Sequence, residues 1–441
     1  MIGLSFEMRS GDSDRVVIDL NASGYRVLNG YYPETGSEDD ISEAFDLMVI
    51  GTSESDLESK IRAIELALDY AKDHQNGPDG VWILFTTNDG VLDDWQSRVS
   101  GGAVLLDNKL GRRWKETKAK VQVVVYRRPY WETVSPVTLT IDNGGGEPGT
   151  AATVFNHDDA GSGHDYYVEI GADQVTGSLP TPAIIEFKNS VNDSELVDQL
   201  MIGHFAASSP HEPPASSLLI LEGSGTADAN CSGGEYDDLT WADAVENQIV
   251  SWSLATGDLR QRYFRFVARF REMFAYTDLW LKVKLLSGSN VLSETRWTLM
   301  NNTNILQMIG SIQIPPFRHG NYVDIGNLTI GLYEKRAAGA GTFNLDFLAM
   351  MPQDGWRKFG AFTGLAYNET LIDNPVEEKL VTHYSTSSYK VTQMLDEGEP
   401  IMLQPGVKNV LYFLHDLDDG TAPIARTASI TIKCHPRRRS V

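Results

Sequence analysis

Residues 53–85, SESDLESKIRAIELALDYAKDHQNGPDGVWILF, place a regular helical pattern directly before a short apolar run. Apolar residues in the first part recur every three or four positions, which predicts one buried helix face. These residues are Leu57, Ile61, Ile64, Leu68 and Ala71. Ser55 and Glu58 fit a capping box at the helix start, and Asn76-Gly77-Pro78 fits a helix end. The stretch therefore predicts an amphipathic helix followed by a strand.

The segment after this helix predicts a small, mostly antiparallel sheet. Apolar runs predict strands over Val81–Phe85 and Val121–Tyr126. Between them, Trp95–Ser100 and Ala103–Leu106 flank Gly101-Gly102, a pattern that predicts a hairpin. We expect one helix packed on this sheet.

The order of these features resembles the N-terminal domain of the distal tail proteins of long-tailed bacteriophages, which is related to the tail-tube fold. The resemblance lies in a helix, a strand, the Trp95 strand, a hairpin and a strand that ends in Arg128-Pro129-Tyr130-Trp131-Glu132. An ordinary α+β domain with one helix on a sheet remains the alternative.

This resemblance implies a non-enzymatic structural protein of the virion, in the tail tip or baseplate. It implies that copies of the chain close into a ring, with a hexamer expected. The ring would stack on the tail tube protein, contact the tail hub or tape-measure protein, and carry outer domains that face the host surface.

The composition indicates a folded protein with an acidic surface. The chain has 441 residues, 41% hydrophobic content and a formal net charge of -23, which disfavours nucleic acids and anionic membranes as partners. The two cysteines, Cys231 and Cys434, form no Cys-x-x-Cys pair, so thiolate metal sites are not expected. Because no apolar window of membrane-spanning length and no signal peptide is recognisable, we expect synthesis in the host cytoplasm without membrane insertion.

The residues before the helix predict strands and one long loop. Arg15–Leu20 and Phe45–Ile50 have strand character. The loop between them carries an acidic run from Glu34 to Glu43. In the family that the chain resembles, such loops make ring contacts, and a mobile acidic loop is the alternative.

Three domains are expected, and the fold class is mainly β with one α+β domain. Residues 1–134 form the tail-tube-like, ring-forming domain. Residues 135–205 and 358–441 form a β-sandwich, and residues 206–357 form a jelly roll inserted into it; three domains in series is the alternative. The boundary at 203–217 rests on a cluster of Ser and Pro residues.

The jelly-roll prediction comes from strands that alternate cleanly between apolar and polar residues. In Tyr263–Arg271 the phenylalanines occupy one face and the arginines the other, which is typical of a half-buried antiparallel strand. The closing sequence FNLDFLAMMP resembles the last strand of carbohydrate-binding jelly rolls. A glycan-binding adhesion protein is therefore the alternative function, and a surface-glycan hydrolase is a third hypothesis without nameable carboxylates.

Aromatic and guanidinium groups suit the ring faces and hydroxyls of a glycan. The candidate ligand residues are Trp280, Trp297, Tyr322, Arg265 and Arg269. The alternative is that these large side chains fill a core or a subunit interface.

The remaining motifs predict no cofactor and no metal. Gly144, Gly146 and Gly149 match a dinucleotide fingerprint only formally, because strand-forming residues follow where a helix is required. The cluster from His157 to Asp165 is read as a polar loop, with a divalent-ion site as the alternative. Asp416-Leu417-Asp418-Asp419-Gly420 departs from the EF-hand pattern and predicts a turn.

Overall fold

The computed structural model describes residues 3–10, 14–28, 41–76, 79–86, 95–106, 117–143, 148–156, 166–190, 196–206, 220–222, 225–242, 244–254, 262–314, 328–337, 339–360, 364–376, 379–383, 389–391, 395–416 and 426–439. These residues form five sheets and one α-helix. The mainly β fold class is therefore confirmed.

The N-terminal region forms a single antiparallel sheet with the helix packed on it. Its elements are β1 (Gly3–Ser10), β2 (Asp14–Asp19), β3 (Tyr25–Val27), β4 (Ile41–Ile50), α1 (Glu54–Asp73), β5 (Gly80–Thr86), β6 (Trp95–Leu106), β7 (Lys118–Arg127) and β8 (Trp131–Thr133). The strands follow the order β2-β1-β5-β6-β7-β4-β3, and β8 pairs with β6. The predicted strands over Val81–Phe85 and Val121–Tyr126 are confirmed by β5 and β7.

The predicted helix stripe is confirmed. Leu57, Ile64, Leu68 and Ala71 are buried, and Ile61 packs partly buried against the same core. This face lies mainly on β6 and β5, so helix and sheet share one apolar core.

The helix start differs from the predicted capping box at Ser55. The N-cap is Ser53, whose Oγ accepts a hydrogen bond from the Asp56 amide at 3.2 Å. The Asp56 carboxylate in turn accepts from the Thr52 amide at 2.7 Å. The sequence offers both Ser53 and Ser55 as N-caps. In the structure Ser53, two residues earlier, is the one that satisfies a free amide of the first turn.

The predicted hairpin at Gly101-Gly102 is wrong, because β6 runs unbroken from Trp95 to Leu106. Its pairing with β7 shifts register between Val99 and Gly101, which marks a bulge. A Cβ atom on Gly102 would lie 2.9 Å from Leu68 Cδ2 and even closer to the Val124 carbonyl oxygen. The glycine therefore allows the helix to approach the sheet.

Six strands follow before the chain enters the segment 220–352. They are β9 (Val137–Thr138), β10 (Ile141–Asp142), β11 (Ala152–Phe155), β12 (Tyr167–Ile170), β13 (Thr181–Asn189) and β14 (Gln199–Ala206). Nine strands follow that segment: β26 (Gly355–Phe359), β27 (Thr370–Asn374), β28 (Lys379–His383), β29 (Tyr389–Val391), β30 (Leu395–Gly398), β31 (Met402–Leu403), β32 (Asn409–Asp416), β33 (Thr427–Cys434) and β34 (Arg437–Arg438).

Strands from both sides of the segment 220–352 pair with one another. One sheet has the order β10-β12-β32-β14-β26-β30 and the other β11-β33-β13-β27-β28-β29. Side chains of both sheets, such as Phe187 and Phe413, share one core with ring centroids 6.5 Å apart. We call these two sheets the middle sheets.

The segment 220–352 forms two further antiparallel sheets. Its strands are β15 (Ile220–Glu222), β16 (Thr226–Ala227), β17 (Glu235–Trp241), β18 (Asn247–Leu254), β19 (Tyr263–Phe270), β20 (Trp280–Ser287), β21 (Asn290–Glu294), β22 (Thr298–Leu299), β23 (Leu306–Gln313), β24 (Leu328–Lys335) and β25 (Gly341–Pro352). One sheet has the order β16-β17-β25-β19-β23, and the other β18-β24-β20-β21 with β22 on β20. The domain boundaries and the jelly-roll assignment stay predictions.

The core of this segment is continuous with side chains of the middle sheets. Phe205 and Tyr412 belong to the same buried cluster as Phe266 and Met350. For this reason β19 is buried on both faces from Phe266 to Phe270, where the predicted half-buried strand is wrong, while Tyr263 at its start is exposed and Arg265 is partly exposed. The arginine face packs towards the middle sheets.

Candidate functional site

The outer edge of β2 is an open sheet edge. β2 pairs with β1 on one side and is the last strand of its sheet in the described part of the chain. Val16 and Val17 point to opposite faces of the strand, yet they are 54% and 58% exposed. An edge strand with free backbone groups and exposed apolar side chains is a template for pairing with another chain.

The opposite end of the same sheet is formed by β3 and β4. The three-residue β3 pairs only with Leu47–Val49 of the ten-residue β4. The two ends of the sheet therefore differ in length and shape. Different ends can meet head to tail between copies, as in a heterologous interface.

Ion pairs hold β2 and its neighbours in position. Glu7 on β1 accepts a hydrogen bond from Arg9 at 3.0 Å and forms an ion pair with Arg15 of β2 at 3.2 Å. The Arg9 guanidinium also donates to Gln96 at 2.6 Å and lies 4.1 Å from the centroid of the Trp82 ring. These contacts connect β2, β1, β5 and β6, and so fix the strands next to the open edge in position.

The Arg-Pro-aromatic end of β7 is a structural anchor. Arg127 and Glu43 are both buried and form a bidentate ion pair with N–O distances of 2.9 and 2.5 Å. The Arg127 guanidinium lies 4.5 Å from the centroid of the fully buried Trp131 ring. Glu132 accepts from Arg437 at 3.2 Å, and β34 pairs with β8. The C-terminal strand thereby ties the first sheet to the rest of the chain.

Arg269, a candidate ligand residue, is not accessible. Its side chain is 0% exposed, and Nε donates to Asp416 Oδ2 at 2.9 Å while Nη1 donates to Asp346. Burial raises the pKa of Asp346 to about 6, against the opposing influence of Arg269. The guanidinium therefore joins β19 to β32 of the middle sheets, and its assignment to a glycan site is corrected.

Arg265 faces the same way as Arg269. Its guanidinium lies 4.9 Å from the centroid of the Trp356 ring and forms an ion pair with Glu397, a partly exposed residue of β30. Both arginines therefore contact the middle sheets.

Trp280 and Trp297 lie with the other sheet of the segment 220–352. Trp280 is on β20, and Trp297 lies beside it, 4.7 Å from Lys282 Nζ. Tyr322 lies outside the described residues. The structure therefore places both tryptophans at the sheet that contains β20, and the two arginines on β19 of the other sheet. The alternation along β20 predicts Lys282 and Lys284 on the same face as Trp280. Neither these lysines nor Tyr333, which pairs with Lys282, is among the candidate ligand residues.

Within the described ranges, no cluster of three or more metal-ligating side chains occurs. The cluster from His157 to Asp165 lies outside them. Asp416 is bonded to Arg269 and lies 3.5 Å from Arg426, and the rest of the predicted turn, 417–420, is also outside. No described helix is long and apolar enough to span a membrane.

No protein family model matches the chain, and no curated protein matches its sequence significantly. Two solved structures of the phage P2 baseplate in its activated conformation, one with Ca and one with Sr, align with 98% of this chain and 98% of theirs. The sequence identity is 8% in both cases, with TM-scores of 0.28 and 0.27. Similarity at this level supports no conclusion about the chain.

Proposed function

We propose that this chain is a non-enzymatic structural component of a phage tail tip that closes into a ring through its N-terminal sheet. The observation that carries the proposal is the outer edge of β2, which pairs with no other strand among the described residues and exposes Val16 and Val17. Natural sheets usually protect such edges with charges, prolines or bulges. The charges of β2 lie at its ends, at Asp14, Arg15 and Asp19, while Val16 and Val17 at its centre carry none and its pairing with β1 has no bulge. A strand from another copy can pair with this edge and form hydrogen bonds with its backbone N–H and C=O groups.

The geometry of the sheet favours a closed ring over a two-fold dimer. β2 lies at one end of the strand order and β3 at the other. When β2 of one copy meets the β3–β4 end of the next, the contact is heterologous and repeats until the rotation closes. We propose six copies, the number that the resemblance to distal tail proteins implies.

The partners follow from the same proposal. The ring of first sheets stacks on the tail tube protein, and the tail hub or tape-measure protein contacts it from the other side. The chain carries a net charge of -23. Acidic groups on the inner wall repel DNA phosphates, so that DNA passes without adhering.

The proposed domains are those expected from the sequence: 1–134 in the ring, a split sandwich of 135–205 and 358–441, and an inserted jelly roll of 206–357. Pairing of β14 with both β26 and β32 supports an insertion over three domains in series. The core shared by these sheets supports a rigid outer arm.

The test is the oligomeric state of the full chain. Light scattering coupled to size exclusion is expected to give about six times the chain mass of 48.8 kDa, and negative-stain images are expected to show rings. A strictly monomeric particle at high concentration, with no rings on grids, would overturn the proposal.

A further inference from the structure

Two lengths of chain run side by side from the first sheet to the middle sheets. On the side of the first sheet, β8 pairs with β34, with Glu132 opposite Arg437. On the side of the middle sheets, β9 pairs with β33. Together these strands form a two-stranded antiparallel ribbon, residues 131–138 against residues 433–438, which we call the joint.

The centre of the joint lacks regular strand pairing. Residues 133–136 of one strand lie opposite residues 435–436 of the other, so the register changes there. Each strand carries a proline at this point, Pro136 and Pro436, and proline has no N–H group to donate to a strand ladder. A two-stranded ribbon is only marginally stable by itself. The centre is therefore the weak point of the joint.

Among the described residues, no apolar core crosses the joint. The buried cluster of the first sheet ends at Trp131, and that of the middle sheets begins at Leu139. By contrast, the segment 220–352 shares one cluster with the middle sheets through Phe205 and Tyr412. Parts of a chain that lack a large apolar interface are expected to move relative to one another. The segment and the middle sheets thus form one body, the outer arm, and the first sheet forms a second body.

Arg437 contacts both bodies. Its guanidinium donates to Glu132 Oε2 at 3.2 Å and lies 4.1 Å from the centroid of the Tyr130 ring, next to β8. Its carbonyl oxygen accepts from the amides of Ser178 at 2.8 Å and Leu179 at 3.2 Å, which precede β13 of the middle sheets. The side chains of the ion pair are only 10% and 4% exposed, so water and salt screen their attraction little.

Gly177 allows the turn before β13 to approach Arg437 closely. A Cβ atom at Gly177 would lie 2.5 Å from the Arg437 carbonyl oxygen, and the backbone φ of +113° is one that favours glycine. Beside this contact, Thr181 Oγ1 donates to the His435 carbonyl oxygen at 2.6 Å. The turn of the outer arm is therefore fitted against β34.

From these contacts we infer that the joint is a hinge with a latch. The ribbon pivots at Pro136 and Pro436. The latch is Arg437, which holds Glu132 of the first sheet and residues 177–179 of the outer arm in one relative orientation. When the latch opens, the outer arm turns while both bodies keep their cores, because the change is confined to a few residues at the ends of strands.

This inference is independent of ring formation, and its test measures a distance across the joint in the full-length chain. Nitroxide labels are attached at Leu66→Cys on α1, where the native side chain is 54% exposed, and at Lys188→Cys, an exposed position on β13. The native Cys231 and Cys434 are buried and stay unlabelled. Co-expression with an excess of the parent chain separates labelled chains from one another in any assembly. Double electron–electron resonance is expected to give one narrow distance distribution.

Two variants open the latch by different routes. Arg437→Ala removes the ion pair and the ring contact, and Gly177→Ala forces a methyl group against the Arg437 carbonyl oxygen. We expect each variant to broaden the distribution and to add a second distance. Arg439→Ala is the matched control, because it removes an exposed arginine two residues further along the chain, and it is expected to give the narrow distribution.

Hydrogen exchange distinguishes opening of the latch from unfolding. The amides of Thr133, Ser178 and Leu179 donate to Pro436 and Arg437. In both latch variants we expect their protection to fall about tenfold or more. Protection of β7 in the first sheet and of β33 in the outer arm is expected to stay within about threefold of the parent chain.

Three outcomes would overturn the inference. A narrow, unchanged distance in both Arg437→Ala and Gly177→Ala means that other contacts fix the orientation. A distribution that is equally broad in the parent chain and in every variant means that no latch exists. Loss of protection throughout β7 in the two latch variants means that β34 is needed for the fold of the first sheet rather than for its orientation.

Discussion

The buried arginine at the centre of β19 gives the sharpest prediction about stability. Arg269 lies between Asp346 and Asp416, and the side chains of all three are at most 2% exposed. Replacing Arg269 by methionine leaves the buried Asp346 without its cation and leaves Asp416 with Arg426, 3.5 Å away. Removal of one partner from a buried ion pair costs about 3–5 kcal/mol. We therefore expect Arg269→Met to weaken the contact between the segment 220–352 and the middle sheets by that amount.

The loss is expected to depend on pH. Burial raises the pKa of Asp346 to about 6 in the folded chain, above the ordinary value of about 3.9 for the unfolded chain. A group with a raised folded pKa stabilises the fold at low pH, and this stabilisation is lost as the pH rises through the folded pKa. Without Arg269 the pKa of Asp346 rises further, so the variant regains part of its lost stability between pH 7 and pH 5.

Hydrogen exchange read by mass spectrometry measures this effect locally, which suits a chain with several cores. We expect amide protection in β19 and β25 to fall by a factor of about 100 to 4,000 at pH 7, and by less at pH 5. Arg265→Met is the control, because the partner of Arg265, Glu397, is partly exposed and such pairs contribute about 1 kcal/mol or less. Protection within about threefold of the parent chain at pH 7, or a loss that is the same at both pH values, would refute the reasoning.

Three further variants test the first sheet by urea unfolding. Ser53→Ala removes the side chain that caps the Asp56 amide and is expected to cost about 1 kcal/mol, whereas Ser55→Ala is expected to cost less than about 0.5 kcal/mol. A larger cost for Ser55→Ala than for Ser53→Ala would contradict the N-cap at Ser53 and support the predicted capping box at Ser55. Gly102→Ala pushes a methyl group onto the Val124 carbonyl and is expected to cost about 1–3 kcal/mol; unchanged stability would contradict the close approach of helix and sheet.

The helix stripe from Leu57 to Ala71 was predictable because burial repeats at a fixed interval along the chain. The same is true of β5 and β7, whose apolar runs match the observed strands. The role of Gly101-Gly102 was not predictable in this way. Glycine serves both turns and close contacts, and only the position of Leu68 in the folded chain distinguishes the two.

The candidate ligand residues on β19 show the same limit of prediction from the sequence. Alternation along β19 separates the phenylalanines from the arginines, but it does not tell whether the polar face meets water or another sheet. The carboxylates that bind Arg269 are 77 and 147 residues away along the chain. Such a distant ion pair leaves no local signal, so a buried structural arginine and a ligand-binding one look alike in the sequence.

The most direct test of the assembly proposal is the mass of a charged edge variant in solution. Val16→Lys places a charge on the outer strand of the first sheet, a change that opposes edge-to-edge pairing. Val291→Lys is the matched control, because Val291 is a 50% exposed valine on β21, the edge strand of a different sheet. Light scattering is expected to give a ring for the parent chain and for Val291→Lys, and a 48.8 kDa monomer for Val16→Lys. A monomeric parent chain, or a ring that persists in Val16→Lys, would contradict assembly through the edge of β2.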